Sequence, residues 1–325
     1  MAAKLYPLKF IPQFKSVIWG GNRLAAFKSI EVDTENIGES WELSDVTGHE
    51  SIVSEGAFRG KSLRELIAQY GEKLIGAIPL RRFGTQFPIL IKFIDANEDL
   101  SVQVHPDDSI AAKRHNCRGK TEMWYVIDVK ADSNIYSGMS REITPEQYVK
   151  DVADGTFIND IACHQSHPGD VFFIPSGRVH AIGAGNLIAE IQQTSDITYR
   201  IYDYNRRDAQ GNLRQLHTNE AKDAIDYKIY DNYLTSYDRK ALETTLVNCD
   251  FFTVKLLNPT GNLDVEMPIG SFLTLTAVAG SAIVKADNET ISVNRGETIL
   301  IPAETTNVSI EGNATILTAS IPSEK

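Results

Sequence analysis

Short apolar runs broken by turn residues dominate this chain, and helical spacing is uncommon. Over residues 5–60, runs such as Ser16-Val17-Ile18-Trp19 end in Gly20-Gly21, a pattern of strands and loops. Phe87 to Ile94 and Leu100 to His105 have strand composition and are divided by the polar turn Asp95-Ala96-Asn97-Glu98-Asp99. Val171 to Ile174 follow a Gly169-Asp170 turn and stop at Pro175 and Gly177, which predicts a buried strand with His180 emerging beyond it. Three helices break the pattern. Ser62 with Glu65 three residues on is a capping box ahead of Leu63, Leu66, Ile67 and Tyr70. Thr144-Pro145 opens a second helix, and Thr218 to Ile225 forms a third. Residues 231–250 are a polar crossover with a domain boundary expected near 245, and from Phe251 onward short strands and turns predict an all-β C-terminal part.

Because strand side chains alternate between faces, parity gathers the polar residues into sets. Ser101, Gln103 and His105 share one face, as do Lys120, Glu122 and Trp124. Glu190, Gln192 and Thr194 form a third set, and Asp196, Thr198 and Arg200 a fourth. Such sets on rigid strands predict a site built into a sheet.

Bulk properties narrow the classes. The chain has 325 residues, 42% of them hydrophobic, which is enough for two domains with real cores. No apolar run approaches a membrane span, and the first residues lack the apolar core of a signal peptide, so a cytoplasmic location is expected. A net charge of −11 disfavours nucleic acid and anionic membranes as partners. Cys117, Cys163 and Cys249 are odd in number and far apart, as free thiols would be. Oligomeric state is not legible.

The stretch from Gly169 to His180 fits Gly-x5-Pro-x-Gly-x2-His, which resembles the second motif of the cupin superfamily. The skeleton returns as Gly296-Glu297-Thr298-Ile299-Leu300-Ile301-Pro302, with Asn307 at the place of His180, so a second repeat lacks the imidazole. The usual cupin His-x-His is replaced by Gln103-Val104-His105-Pro106 and then Lys120-Thr121-Glu122-Met123-Trp124. With Trp19-Gly20-Gly21, Glu39-Ser40-Trp41-Glu42-Leu43-Ser44 and Glu190 to Asp196 leading to Tyr199-Arg200-Ile201-Tyr202-Asp203-Tyr204, this resembles the type I mannose-6-phosphate isomerases, in particular their short bacterial branch. The likeness spans roughly residues 5–220.

The resemblance implies a mainly β fold of two cupin-like jelly-roll barrels, residues 1–245 catalytic with inserted helices and 246–325 a degenerate partner without a metal site. It implies one zinc ion held by Gln103, His105, Glu122 and His180; the N/O ligand set alone would equally suit iron, manganese or cobalt. It implies that Arg200 and Lys120 are catalytic, Arg200 against enediolate charge and Lys120 as a proton shuttle whose pKa a nearby cation would lower. Glu190 and Asp196 are carboxylates able to act as base or to orient these cations. Ser101, Lys92 and Arg206 are the implied phosphate contacts of a small sugar-phosphate substrate. One departure is Gly119, where the longer branch has a His before the motif lysine. Cys163-His164-Gln165-Ser166-His167 has metal-like content but is expected in a turn outside the site. An isomerase of another sugar phosphate, a non-catalytic sugar-phosphate sensor, and an iron-dependent cupin oxygenase remain alternatives.

Overall fold

The computed structural model describes residues 4–207 and 210–323. The strands form three main antiparallel sheets and one two-stranded pair. The first has six strands in the order Val171–Ile174, Glu122–Val129, Asn186–Gln193, Ile89–Asp95, Ile37–Leu43 and Gln13–Gly21. The second has five: Ile161–Gln165, Asn134–Met139, His180–Ile182, Val102–Val104 and Tyr199–Tyr202. These two pack face to face as a jelly-roll sandwich.

Alternation along Asn186–Gln193 shows how the sandwich is filled. Leu187, Ala189 and Ile191 point into the main apolar core, while Ile188 lies in a separate cluster with Trp124 and Phe172. The same inward face carries Glu190 and Gln192, both buried. The space between the sheets is therefore apolar at one end and polar at the other.

The third sheet holds the C-terminal strands. Its main path runs Leu8–Lys9, Thr298–Ile301, Leu273–Ala286, Val308–Ser320, Thr253–Leu257 and Glu243–Asn248. The edge strand Leu8–Lys9 comes from the other end of the chain, with Leu8 opposite Leu300. Leu8, Phe27 and Phe93 share one core cluster with Leu246, Phe252 and Leu317, so the two halves bury apolar surface together.

The expected helices form. Ser62 caps Leu63–Tyr70, with both bonds of the capping box made, and Thr144 caps Pro145–Ala153 with the proline in the first turn. Thr218–Ala224 is helical as well. Further helices at Arg23–Lys28, Glu72–Ile75, Ala77–Phe83 and Asp108–His115 lack a strong apolar stripe in the sequence. Cys163 and His164 lie on a strand, not in the expected turn, because Ile161–Gln165 pairs with Asn134–Met139. All three cysteines are free.

Candidate metal centre and active-site cleft

Directly opposed residues in an antiparallel sheet project from the same face, so register alone assembles two facing rows. In the six-stranded sheet Trp41 opposes Lys92, Lys92 opposes Glu190, and Glu190 opposes Trp124. One step along, Gln192 opposes Glu122. In the five-stranded sheet Arg200 opposes Gln103, Gln103 opposes His180, and His180 opposes Ser137.

Where the rows meet, His105, Glu122 and His180 bring their ligand atoms within 4.8 Å of one another, all three residues buried. The Nε2 of His180 is 3.3 Å from Glu122 Oε1, and that of His105 is 3.5 Å from Glu122 Oε2. Both imidazoles are oriented from behind. Nδ1 of His105 lies 2.9 Å from the carbonyl of Ile197 and Nδ1 of His180 2.8 Å from that of Arg178. A carbonyl only accepts, so each Nδ1 carries the proton and each Nε2 aims a lone pair inward. Burial, with Lys120 adding to it, pushes the His105 pKa down to about 3, and burial lowers that of His180, so both rings are neutral and ready to ligate. Burial raises Glu122, but the Lys120 ammonium leads the influences that outweigh it and hold the carboxyl well below the usual range.

The donor set fits a cation by a further criterion. Glu122 Oε1 is buried without a hydrogen-bond partner while it faces the lone pair of His180. Two lone pairs held this close are unfavourable unless a positive centre lies between them. The amide nitrogen of Gln103 is 3.3 Å from the same His180 Nε2, so exchanging its amide atoms would offer its Oε1 as a fourth ligand. This is a potential metal site of two imidazoles and one carboxylate. Among the described residues it is the one group of such side chains close enough to hold an ion, and His164 and Cys163 stand apart from it.

A cleft of about 230 Å³ opens beside these ligands. Its wall brings together Lys92, Ser101, Gln103, Lys120, Glu190, Asp196 and Arg200. Trp19, Trp41 and Trp124, the three tryptophans of the chain, supply apolar surface. Lys120 precedes the strand that starts at Glu122 instead of lying on it, and its Nζ sits 2.7 Å from Glu122 and 3.0 Å from His105 Nε2. Arg206, expected in the same place, is not on the cleft wall; it pairs with Asp203 and the carbonyl of Asp99. Arg214 does line the cleft, and no periodicity in its irregular segment could have marked it.

Charge in the cleft is tightly coupled. Glu190 lies 3.5 Å from both Lys92 and Lys120. Burial, then the nearby Glu122, raise its pKa to about 7 against the pull of the two lysines. Burial opposes charge on Lys92, but Glu190, Glu39 and Glu122 overcome it and raise that ammonium. Burial lowers the Arg200 guanidinium, with Arg214 next in importance. Glu190 Oε1, Arg200 Nε and Trp124 Nε1 are buried without hydrogen-bond partners. Gly119 has a structural reason: a Cβ there would meet the backbone nitrogen of Asp108 at 2.6 Å and the carbonyl of Pro106 at 2.9 Å, leaving no room for an imidazole.

Together the sheets and the ligand set define a cupin-type protein with a buried potential metal site and a charged cleft. Residues 7–128 match the model of the phosphomannose isomerase type I catalytic domain, and residues 242–321 that of the mannose-6-phosphate isomerase cupin domain. The chain is 35% identical over 312 residues to mannose-6-phosphate isomerase ManA of Bacillus subtilis, covering 95% of this chain and 96% of that one. It is 34% identical to mannose-6-phosphate isomerase of Streptococcus mutans, covering 96% and 97%. A crystal structure of the Bacillus subtilis mannose 6-phosphate isomerase superposes with a TM-score of 0.87 at 31% identity, over 96% of this chain and 99% of that one. The chain belongs to the type I phosphomannose isomerase family.

Proposed function

We propose that this chain interconverts mannose 6-phosphate and fructose 6-phosphate through an enediolate, using zinc held by His105, Glu122, His180 and the turned amide of Gln103. The observation that carries this reading is the place of Glu190, a buried carboxyl 3.5 Å from both Lys92 and Lys120, beside the ligand set and on the wall of a cleft of sugar size. A base that removes a carbon-bound proton and returns it works best with a pKa near the operating pH.

In this reading Glu190 takes the proton from C2 of the open-chain aldose and returns it to C1, so the isomerisation balances with no external oxidant or reductant. Arg200, with its Nε unsatisfied and its side chain on the cleft wall, donates to the oxygen that becomes anionic. Lys120 moves the hydroxyl proton between O1 and O2, and Lys92 keeps Glu190 oriented from the neighbouring strand. Asp196 is a second carboxylate on the cleft wall. Ser101, 3.4 Å from Gln103, is a hydroxyl donor on the same wall. When bound, zinc supplies Lewis acidity and an anchor for substrate hydroxyls.

Residues 1–245 form the catalytic part in this reading, and 246–325 a second cupin without ligands. A cytoplasmic location accords with the absence, among the described residues, of any helix long and apolar enough to cross a membrane. The test is conversion of mannose 6-phosphate by the purified chain as prepared, after chelation, and after zinc is restored. Activity lost and regained is the expected result, and no turnover by metal-loaded protein overturns the reading.

A further inference from the structure

Asp203 is shared by two arginines, but unequally. Arg206 grips it through Nη2 at 2.5 Å and commits its other nitrogens to carbonyls, Nη1 to Asp99 at 2.6 Å and Nε to Asp203 at 3.3 Å. Its guanidinium is thereby fully engaged and off the cleft wall. Arg214 reaches Asp203 through Nη1 alone, at 3.2 and 3.4 Å, and lines the cleft beside Arg200 and Ser101.

The charges acting on Arg200 are Arg214, Asp203 and Arg206, two like and one opposite. Three guanidiniums therefore gather round Asp203, with the exposed Glu98 4.0 Å from Arg206, in a chain whose net charge is −11. Like charges crowded at a half-buried place are costly unless an anion completes the set. A phosphomonoester supplies two negative charges and oxygens spaced for the guanidinium fork.

We propose that Arg214 is the guanidinium that binds the phosphate group of the substrate, and that Arg206, by holding Asp203 in place, is the positioning residue that aims it. This rests on the reading of the cleft as a sugar-phosphate site. Arg200 is then left for the reacting end. Arg214, with its side chain a quarter exposed, holds the end that does not react.

The test is steady-state turnover of mannose 6-phosphate by the metal-loaded full chain, together with competitive inhibition by inorganic phosphate. For Arg214→Gln we expect KM and the phosphate inhibition constant to rise together by about 10- to 100-fold, with kcat within about threefold of wild type. Arg214→Lys keeps a charge without the fork and falls between, while Arg207→Gln, a change in the exposed neighbour of Arg206, leaves both constants unaltered. Phosphate inhibition and KM within about twofold of wild type in Arg214→Gln, or a fall in kcat alone, overturns the proposal. If that variant does not fold, Arg214→Lys retains the ion pair to Asp203 and decides the matter: an unchanged phosphate inhibition constant overturns it. Should wild type not turn over mannose 6-phosphate, the functional reading fails. Phosphate binding, followed by the emission of the three cleft tryptophans, then tests Arg214 by itself: loss in Arg214→Gln supports the proposal and retention overturns it.

Discussion

Gln103 and His180 lie directly opposite one another on adjacent antiparallel strands, their side-chain nitrogens 3.3 Å apart. Backbone pairing therefore sets this part of the ligand cluster, with no loop able to move one residue without the other. A slip of one residue in that pairing would turn His180 away from the sheet interior and dismantle the site.

His180→Asn, which gives the first repeat the residue found at Asn307 in the second, is expected to abolish metal retention and activity. Metal content after dialysis and the turnover rate check it. Near wild-type values for both would remove His180 from the ligand set.

Lys120→Ala is expected to keep the metal and lose turnover by about 10²- to 10⁴-fold, the usual range for a proton-transfer group. Metal analysis separates the outcomes, because a metal-free variant would make Lys120 a structural partner of Glu122 and His105 instead.

Glu190 governs the acid side of the pH profile. With its pKa raised to about 7, kcat/KM should climb as pH rises toward neutrality, and Glu190→Gln should abolish turnover. A bound cation would offset the charge of Glu122, which raises that pKa, so the limb should sit at or below about 7 in loaded enzyme. The folded pKa lies above the ordinary glutamate value of 4.5, so protonated Glu190 stabilises the fold below that pH, and the contribution is lost as pH rises through about 7. Denaturant midpoints of metal-free protein at pH 5 and pH 8 should therefore differ less in Glu190→Gln than in wild type. An equal difference in the two proteins would contradict the shift.

Gly138→Ala should destabilise by more than about 2 kcal/mol. Gly138 has a φ of 79°, and a Cβ there would come within 2.0 Å of the Tyr233 ring. Tyr233 also donates to the Met139 carbonyl, so the two segments cannot part without losing that bond. Urea unfolding measures the loss, and an unchanged midpoint would mean the ring can move aside.

The sheet-borne part of the site was legible because strand parity is rigid: Gln103, His105, Glu122, Glu190 and Arg200 reach one interior from four separate strands or strand ends. What parity could not supply was the position of residues outside strands. Lys120 arrives from a turn fixed by Gly119, whose amide donates to Asp108 at 2.7 Å. Arg214 follows an irregular stretch with no repeating pattern, whereas Arg206, nearer the strand, turns to Asp203. The helix Asp108–His115 escaped notice since only Ala111 on it is buried. Its cap, Asp107, accepts from the Ile110 amide, a signal present in the sequence but unsupported by any apolar stripe.

Leu8–Lys9 completes the edge of the C-terminal sheet by pairing with Thr298–Ile301. In a chain made from its N-terminus, this strand emerges long before its partner, and it must wait unpaired for nearly all of synthesis. Until residue 300 appears, both surfaces are open to other chains, which is the condition under which strands associate wrongly. A C-terminal fragment beginning at residue 242 would keep that edge permanently bare, so adding the Leu8 segment as a free peptide should suppress its aggregation.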